Sequence, residues 1–330
     1  MLQKIITIIL GLVIVGGLAW YINKNYVEPS SSPSDTETPE GNLGENSTES
    51  NSQLVYVTLG AATEIWQTDL NGKTKKLYTD ADEALKIKKI SNLSTGTSEV
   101  LAIVSKDNNS AGKLEVIDLN SAKAKVLKEL FPTPTNFSIS PDGERIIYTR
   151  FSNVEESYGY TIFLEKKSGS DLEEIANSSS EIIYPCWGSN SKTIYYGKTV
   201  GVNTEIISYD LETTKSKTIF STEKVIDWLS ITPSDKIVIS ERKIGEENAG
   251  EISFLDQNGR EKASIVKYSG GKASFVYLSA GQNLAYLVAQ YKVKIDEKTS
   301  GQIYILNIKN SEKSAIKKGI QIIGWRNNEQ

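Results

Sequence analysis

The sequence predicts an all-β protein: a six-bladed β-propeller of four-stranded blades, closed by the C-terminal strand and preceded by one N-terminal transmembrane helix. Three observations predict it. A short β segment recurs six times at spacings between 44 and 51 residues. A turn built on Pro-Asp-Gly, or on polar stand-ins for it, precedes most copies at a steady offset. Residues 320–325 supply the inner strand that the first repeat lacks. A period of this length suits one four-stranded propeller blade.

Taken in chain order, residues 1–4 form a short cytoplasmic N-terminus and residues 5–22 the membrane span. From Ile5 to Ile22 the chain carries no charge, and its aliphatic run is broken only by Thr7 and three glycines. As a helix this run is about 27 Å long, close to the thickness of a bilayer's hydrocarbon core. Trp20 and Tyr21 stand at its far end, where amphipathic rings favour the headgroup level. A cleaved signal peptide and a buried core helix are the alternatives. However, Ala19 is followed by Trp20, Tyr21 and Ile22, a poor cleavage site, so an uncleaved signal anchor is expected. Between Lys24 and Lys73 there is neither Lys nor Arg. Because basic residues are retained in the cytoplasm, this depletion places the rest of the chain outside, on the extracytoplasmic side of the plasma (inner) membrane.

Residues 23–53 read as an acidic, disordered linker rich in Ser, Thr and Pro, with Glu28, Asp35, Glu37, Glu40, Glu45 and Glu49. Such a segment buries too little apolar surface to offset the entropy of ordering it, and its like charges extend it. The whole chain has 37 basic and 41 acidic side chains; leaving out Lys4, Lys24 and the six linker acids, residues 54–330 hold 35 of each. A folded part without net charge gives nucleic acid no electrostatic foothold. The single Cys, Cys186, excludes an intramolecular disulfide. The absence of His removes Ser-His-Asp hydrolysis, Cys-His chemistry and ordinary zinc sites together. No metal or cofactor is expected.

Residues 54–330 carry the repeat. Ile65 to Asp69 runs into Leu70-Asn71-Gly72, Leu114 to Asp118 into Leu119-Asn120-Ser121, Ile206 to Asp210 into Leu211-Glu212-Thr213, and Ile252 to Asp256 into Gln257-Asn258-Gly259. Looser copies start at Ile162 and Ile303. Upstream, Phe137-Ser138-Ile139-Ser140-Pro141-Asp142-Gly143 turns into Glu144 to Tyr148, and Trp187-Gly188-Ser189-Asn190 leads into Ile194-Tyr195-Tyr196 in the same way. This is turn chemistry joining two apolar strands. Residues 54–79 hold only a second, third and fourth strand, while Ile320 to Trp325 reads as a first strand with Trp325 at the place of Trp187. Closing the ring with one strand from each end leaves no open seam.

The stretch Phe137 to Tyr148 resembles the Trp-Ser-Pro-Asp-Gly repeat of TolB-type propellers, a WD40-like domain, and the downstream strand resembles their Ile-Tyr-x-x-Asp-Leu segment. The resemblance extends over residues 54–326 and is close only at residue 137. It implies the fold and, as a class, a protein-binding role. The chain departs from TolB itself in lacking an α/β domain before the propeller and in its N-terminal tether.

The recurring Asp69, Asp118, Asp210 and Asp256 end strands just before tight turns, so capping of backbone N–H groups is the expected role, as it is for Asp142. Trp66, Trp187, Trp228 and Trp325 are expected in the core between blades. The loops joining second to third strands all emerge on one face, the longest at 150–160, 241–251 and 289–301. Binding residues concentrate on such loops, and Tyr and Arg are favoured anchors. Candidate partner-binding residues are accordingly Arg150, Tyr158, Tyr160, Arg242, Tyr291 and Lys292. The partner expected is a protein or a cell-envelope polymer. The alternative is a propeller enzyme, a glycoside hydrolase or a divalent-cation-dependent hydrolase, working through channel carboxylates; Asp227 is the acid expected in the channel.

Overall fold

The computed structural model describes residues 52–327, apart from 60–61, 81–85, 94–97, 106–111, 132–133, 135, 153–158, 261, 280–281 and 290–300. The expected span at 5–22 and nearly all of the expected linker lie outside the described residues. Among the described residues no helix is long and apolar enough to cross a membrane.

Twenty-four strands form six antiparallel four-stranded sheets. Blade 1 takes its inner strand from the end of the chain: its order is β24 (Gln321–Asn327), β1 (Ser52–Leu59), β2 (Thr63–Thr68) and β3 (Thr74–Thr79). The other blades are continuous in sequence and run from the axis outwards. Blade 2 comprises β4 (Lys86–Ile90), β5 (Glu99–Ser105), β6 (Gly112–Asp118) and β7 (Lys123–Phe131). Blade 3 comprises β8 (Asn136–Ile139), β9 (Arg145–Ser152), β10 (Gly159–Lys166) and β11 (Glu173–Ser178). Blade 4 comprises β12 (Ile182–Trp187), β13 (Thr193–Val200), β14 (Asn203–Asp210) and β15 (Lys215–Thr222). Blade 5 comprises β16 (Val225–Ile231), β17 (Ile237–Arg242), β18 (Ala249–Leu255) and β19 (Lys262–Ser269). Blade 6 comprises β20 (Lys272–Leu278), β21 (Asn283–Ala289), β22 (Gly301–Asn307) and β23 (Lys313–Gly319). The expected blade count, strand count and closure are all present, and β1 begins slightly before the expected boundary at residue 54.

Burial falls from the axis outwards, and the sequence shows why. Second strands are packed on both faces: every residue of β17 and of β21 is buried, β21 reading as a near-continuous apolar run and β17 as an apolar half followed by Ser240, Glu241 and Arg242. Fourth strands such as β15 start with four exposed polar residues, because their outer edge faces water. Apolar side chains gather into six clusters, one at each interface between neighbouring blades. The cluster joining blade 6 to blade 1 sets Leu54, Tyr56 and Ile322 against Ala285, Leu287 and Ile303. Each fully buried Leu or Ile contributes about 1.5–3 kcal/mol, so the ring is held mainly by these six seams.

The turns behave as their sequences require. Asp69 Oδ1 accepts the N–H groups of Asn71 (3.0 Å) and Lys73 (2.8 Å), Asp210 Oδ1 those of Glu212 (2.9 Å) and Thr213 (2.7 Å), and Asp256 Oδ1 those of Asn258 (3.1 Å) and Arg260 (2.6 Å). The backbone N–H groups that hold Asp118 and Asp210 keep both carboxyls below the usual carboxylate range.

The up-and-down order fixes two faces. First-to-second and third-to-fourth turns lie on one face, which also receives the chain at Ser52, because Ser52 pairs with Asn327 at the end of an inner strand. Second-to-third loops lie on the opposite face.

Candidate functional site

On the loop face, Arg150 is exposed on β9 and its guanidinium lies 5.7 Å from the centre of the Phe163 ring. Tyr160, on β10 opposite Phe151, is half-buried, with the two ring centres 4.9 Å apart. Tyr158, Tyr291 and Lys292 lie outside the described residues. Arg242 departs from the expectation of an open loop anchor. It is 7% exposed, and its Nε donates to Asp227 Oδ2 at 2.9 Å. A guanidinium committed to a buried carboxylate is not presented to the surface; it neutralises a charge that would otherwise be costly to bury.

Sequence reasoning missed apolar residues on this face. Val202 is 74% exposed and Ile244 66%, and both line a cleft of about 300 Å³ together with Lys224 and Lys243. The signal was present in Gly201-Val202-Asn203 and Ile244-Gly245: an apolar residue beside glycine in a tight turn has no core to enter. Phe151, 43% exposed, extends the apolar character to blade 3.

The second site is the central channel, a cavity of about 630 Å³ lined by the inner strands of all six blades. Register orders its wall. Where the second strands carry Val57, Ile103, Thr149, Gly197, Ser240 and Leu287, the paired inner-strand residues are Gln321, Lys89, Asn136, Ile183, Trp228 and Ser274. Tyr184 and Phe275 follow at bulges and also line the channel, so its wall carries Gln321, Lys89 and Asn136 on blades 1–3, and Tyr184, Trp228, Ser274 and Phe275 on blades 4–6. The aromatic rings gather on blades 4–6. Trp228 touches both neighbours, with ring centres 4.6 Å from Tyr184 and 4.6 Å from Phe275.

The bulge in β16 also decides where Asp227 goes. The register skips it between Ile226 and Trp228, so Trp228 takes the channel position and Asp227 is 7% exposed against Arg242. Asp227 therefore does not line the channel as the sequence suggested. Burial pushes its carboxyl above the usual range, opposed by the positive charges of Arg242 and Lys272. The charged residues among the described channel lining are Lys89 and Lys272. Burial inside the ring holds the Lys89 ammonium below its ordinary range although the side chain opens onto the channel. Cys186 also faces the channel, and burial pushes its thiol up, away from the reactive thiolate. Among the described residues no group of three or more Asp, Glu, Cys or His side chains is arranged to hold a metal ion.

The tryptophans divide. Trp187 is buried and its Nε1 donates to Ser138 O of the preceding blade at 3.4 Å; Trp325 Nε1 does the same to Tyr277 O at 3.0 Å. These two pin adjacent inner strands together, as expected of core residues. Trp228 is the exception: it is half-buried in the channel wall, and its N–H finds no acceptor among the described residues.

No protein-family model and no curated protein matches the chain. Solved structures do. TolB from Acinetobacter baumannii superposes with a TM-score of 0.64 at 16% identity, over 84% of this chain and 67% of that one. The fold is that of the TolB-type propellers. A chain assigned as TolB in Agrobacterium tumefaciens gives 0.60 at 13% identity, over 82% of this chain and 90% of that one. A chain from a nidogen–laminin complex gives 0.58 at 13% identity, over 83% and 97%. A ring of this fold thus occurs in proteins of quite different sequence, so these likenesses speak to architecture.

Proposed function

We propose that this TolB-type propeller is a binding module, anchored in the plasma membrane through residues 5–22, held outside the membrane by the linker at 23–53, and recruiting a protein or envelope polymer through its loop face. The observation that carries the reading is the placement of the two faces. The chain enters β1 at Ser52 from the turn face, so a tether arriving there leaves the second-to-third loops pointing away from it. That outward face carries Arg150, Phe151 and Tyr160 on blade 3 and the exposed Val202 and Ile244 on blades 4 and 5. Aromatic and Arg anchors beside exposed apolar side chains are the composition of contact surfaces. A nidogen–laminin complex containing a chain of the same fold gives the reading further support. The hydrolase alternative needs carboxylates in the channel, whereas the charged residues among the described lining are two lysines.

The test is crosslinking and pull-down from intact membranes with Tyr158, Tyr160 and Tyr291 replaced together by Ala. Loss of one specific partner, with a melting temperature near that of the wild type, is expected. Unchanged capture would remove the loop face from consideration.

A further inference from the structure

Two turns on the turn face share one sequence frame and differ in what surrounds them. Asp69-Leu70-Asn71-Gly72 joins β2 to β3 in blade 1, and Asp256-Gln257-Asn258-Gly259 joins β18 to β19 in blade 5. Their hydrogen bonds correspond. Asp69 Oδ1 accepts from Asn71 N at 3.0 Å, and Asp256 Oδ1 from Asn258 N at 3.1 Å. Gly72 N donates to Asp69 O at 3.1 Å, and Gly259 N to Asp256 O at 2.9 Å.

An Asn-Gly pair has a reaction of its own, because no Cβ on the glycine shields its nitrogen from the asparagine side chain. The lone pair of the glycine nitrogen attacks the asparagine Cγ and forms a C–N bond. The Cγ–Nδ2 bond breaks, and ammonia leaves with the proton that the glycine nitrogen gives up. Water then opens the cyclic imide at one of its two carbonyls. Opening at Cγ gives aspartate; opening at the main-chain carbonyl gives isoaspartate, whose backbone runs through the former side chain. The net change is amide and water to carboxylic acid and ammonia.

Ring closure turns the Asn–Gly peptide out of its place, so the freedom of the turn to open locally sets the rate. Here the blades differ. Asn71 and Gly72 are both exposed, and the Asn71 side chain makes no hydrogen bond among the described residues. A Cβ placed on Gly72 meets none of the described residues within 4 Å. Gly259 is half-buried against blade 4, so close that a Cβ on it would overlap the Ile219 carbonyl. Rotation at Asn71 breaks hydrogen bonds within its own turn, whereas rotation at Asn258 also requires blade 4 to give way. Three described Asn-Ser pairs are held by their side chains: Asn177 Nδ2 donates to Glu174 Oε1 at 2.7 Å, Asn190 Oδ1 accepts from Lys192 N at 2.9 Å, and Asn310 Oδ1 accepts from Glu312 N at 3.0 Å.

We propose that Asn71 is a site of spontaneous deamidation, and that the packing of blade 5 on blade 4 protects Asn258 from the same reaction. The product carries a second negative charge close to Asp69, and its isoaspartyl form lengthens the backbone inside the Asp69 cap. The site lies apart from the loop face and does not depend on any partner.

Incubation of the full chain in mildly alkaline buffer, followed by peptide mapping that resolves isoaspartate from aspartate, tests it. In the native protein, conversion is expected to be at least about tenfold faster at Asn71 than at Asn258. In denaturant, where neither turn persists, the two rates should converge. Gly72→Ala is expected to abolish conversion at Asn71, and its melting temperature shows whether the fold is retained. The proposal is overturned if Asn71 keeps its amide in the native protein or if the two sites react alike there. It is equally overturned if the preference for Asn71 persists in denaturant, since it would then belong to the flanking residues alone.

Discussion

Gly72 and Gly259 occupy corresponding turns between third and fourth strands, with φ values of 81° and 70°. The two differ in their surroundings. A Cβ on Gly72 would meet nothing within 4 Å, whereas one on Gly259 would stand 2.1 Å from Ile219 O on blade 4. The first glycine serves backbone conformation alone; the second also lets two blades approach. Gly72→Ala is expected to cost about 1 kcal/mol, the usual penalty of a left-handed L-residue. Gly259→Ala should cost about 3 kcal/mol or more, since backbone must move as well. Chemical denaturation of the two variants measures the difference, and equal losses would show that the blade contact at Gly259 yields freely. The Asp caps at 69, 118, 210 and 256 were legible from sequence because a cap acts within four residues of itself. Exposure of Val202 and Ile244 depends on where the chain turns, and it was legible only in part, through the neighbouring glycines.

At the scale of elements, β17, β18 and β19 of blade 5 hold a network of charges. Glu241, fully buried, accepts from Lys224 at 2.8 Å and from Lys262; Glu251, opposite it across the ladder, also bonds Lys224 and lies 3.3 Å from Lys262. Desolvation works to raise the Glu251 carboxyl, but hydrogen bonds with Glu241 and Lys224 and the charges of Lys262 and Lys224 outweigh it and lower it to about 2, while Glu241 and Glu251 raise the Lys224 ammonium. A carboxyl lowered on folding contributes stability that is fully present above its unfolded value of about 4.3 and is lost as the pH falls towards its folded value. Thermal melts between about pH 5 and pH 2 should therefore show falling stability in the wild type and a shallower fall in Glu251→Gln. Parallel curves would place the acid sensitivity elsewhere. The same blade shows where sequence reading stops. Its third strand and the turn after it followed from the repeat copy Ile252 to Asp256 and Gln257-Asn258-Gly259, but the bulge in β16 that exchanges Asp227 for Trp228 has no local signature. It is set by the pairing with β17, and one residue of slip sends an acid to the interior and an indole to the channel. Arg242 was read as a loop residue for the same reason, since its partner Asp227 is defined only once that register exists.

For the whole molecule, the decisive feature is the sheet that joins the two ends of the chain. β24 fills the inner position of blade 1, Leu93 N donates to Ile323 O at 2.7 Å to join blade 2, and Trp325 pins blade 6. Deleting residues 320–330 removes all three contacts and leaves β1 as an exposed edge. The truncated protein is expected to melt well below the wild type and to self-associate on size exclusion. A monomer of unchanged stability would mean that the other blades close the ring unaided. The closure also has a kinetic meaning. Blades 2 to 6 consist of contiguous segments and can form as soon as their own strands exist, each by local hairpins. Blade 1 cannot: Leu54 must wait for Trp325 and Val57 for Gln321, pairings that span nearly the whole propeller. The loop-closure entropy of that search is met late, so docking of β24 is the expected rate-limiting event. Until it occurs, the chain is an open arc with an apolar edge at Leu54 and Tyr56, and that interval is when it is most exposed to aggregation.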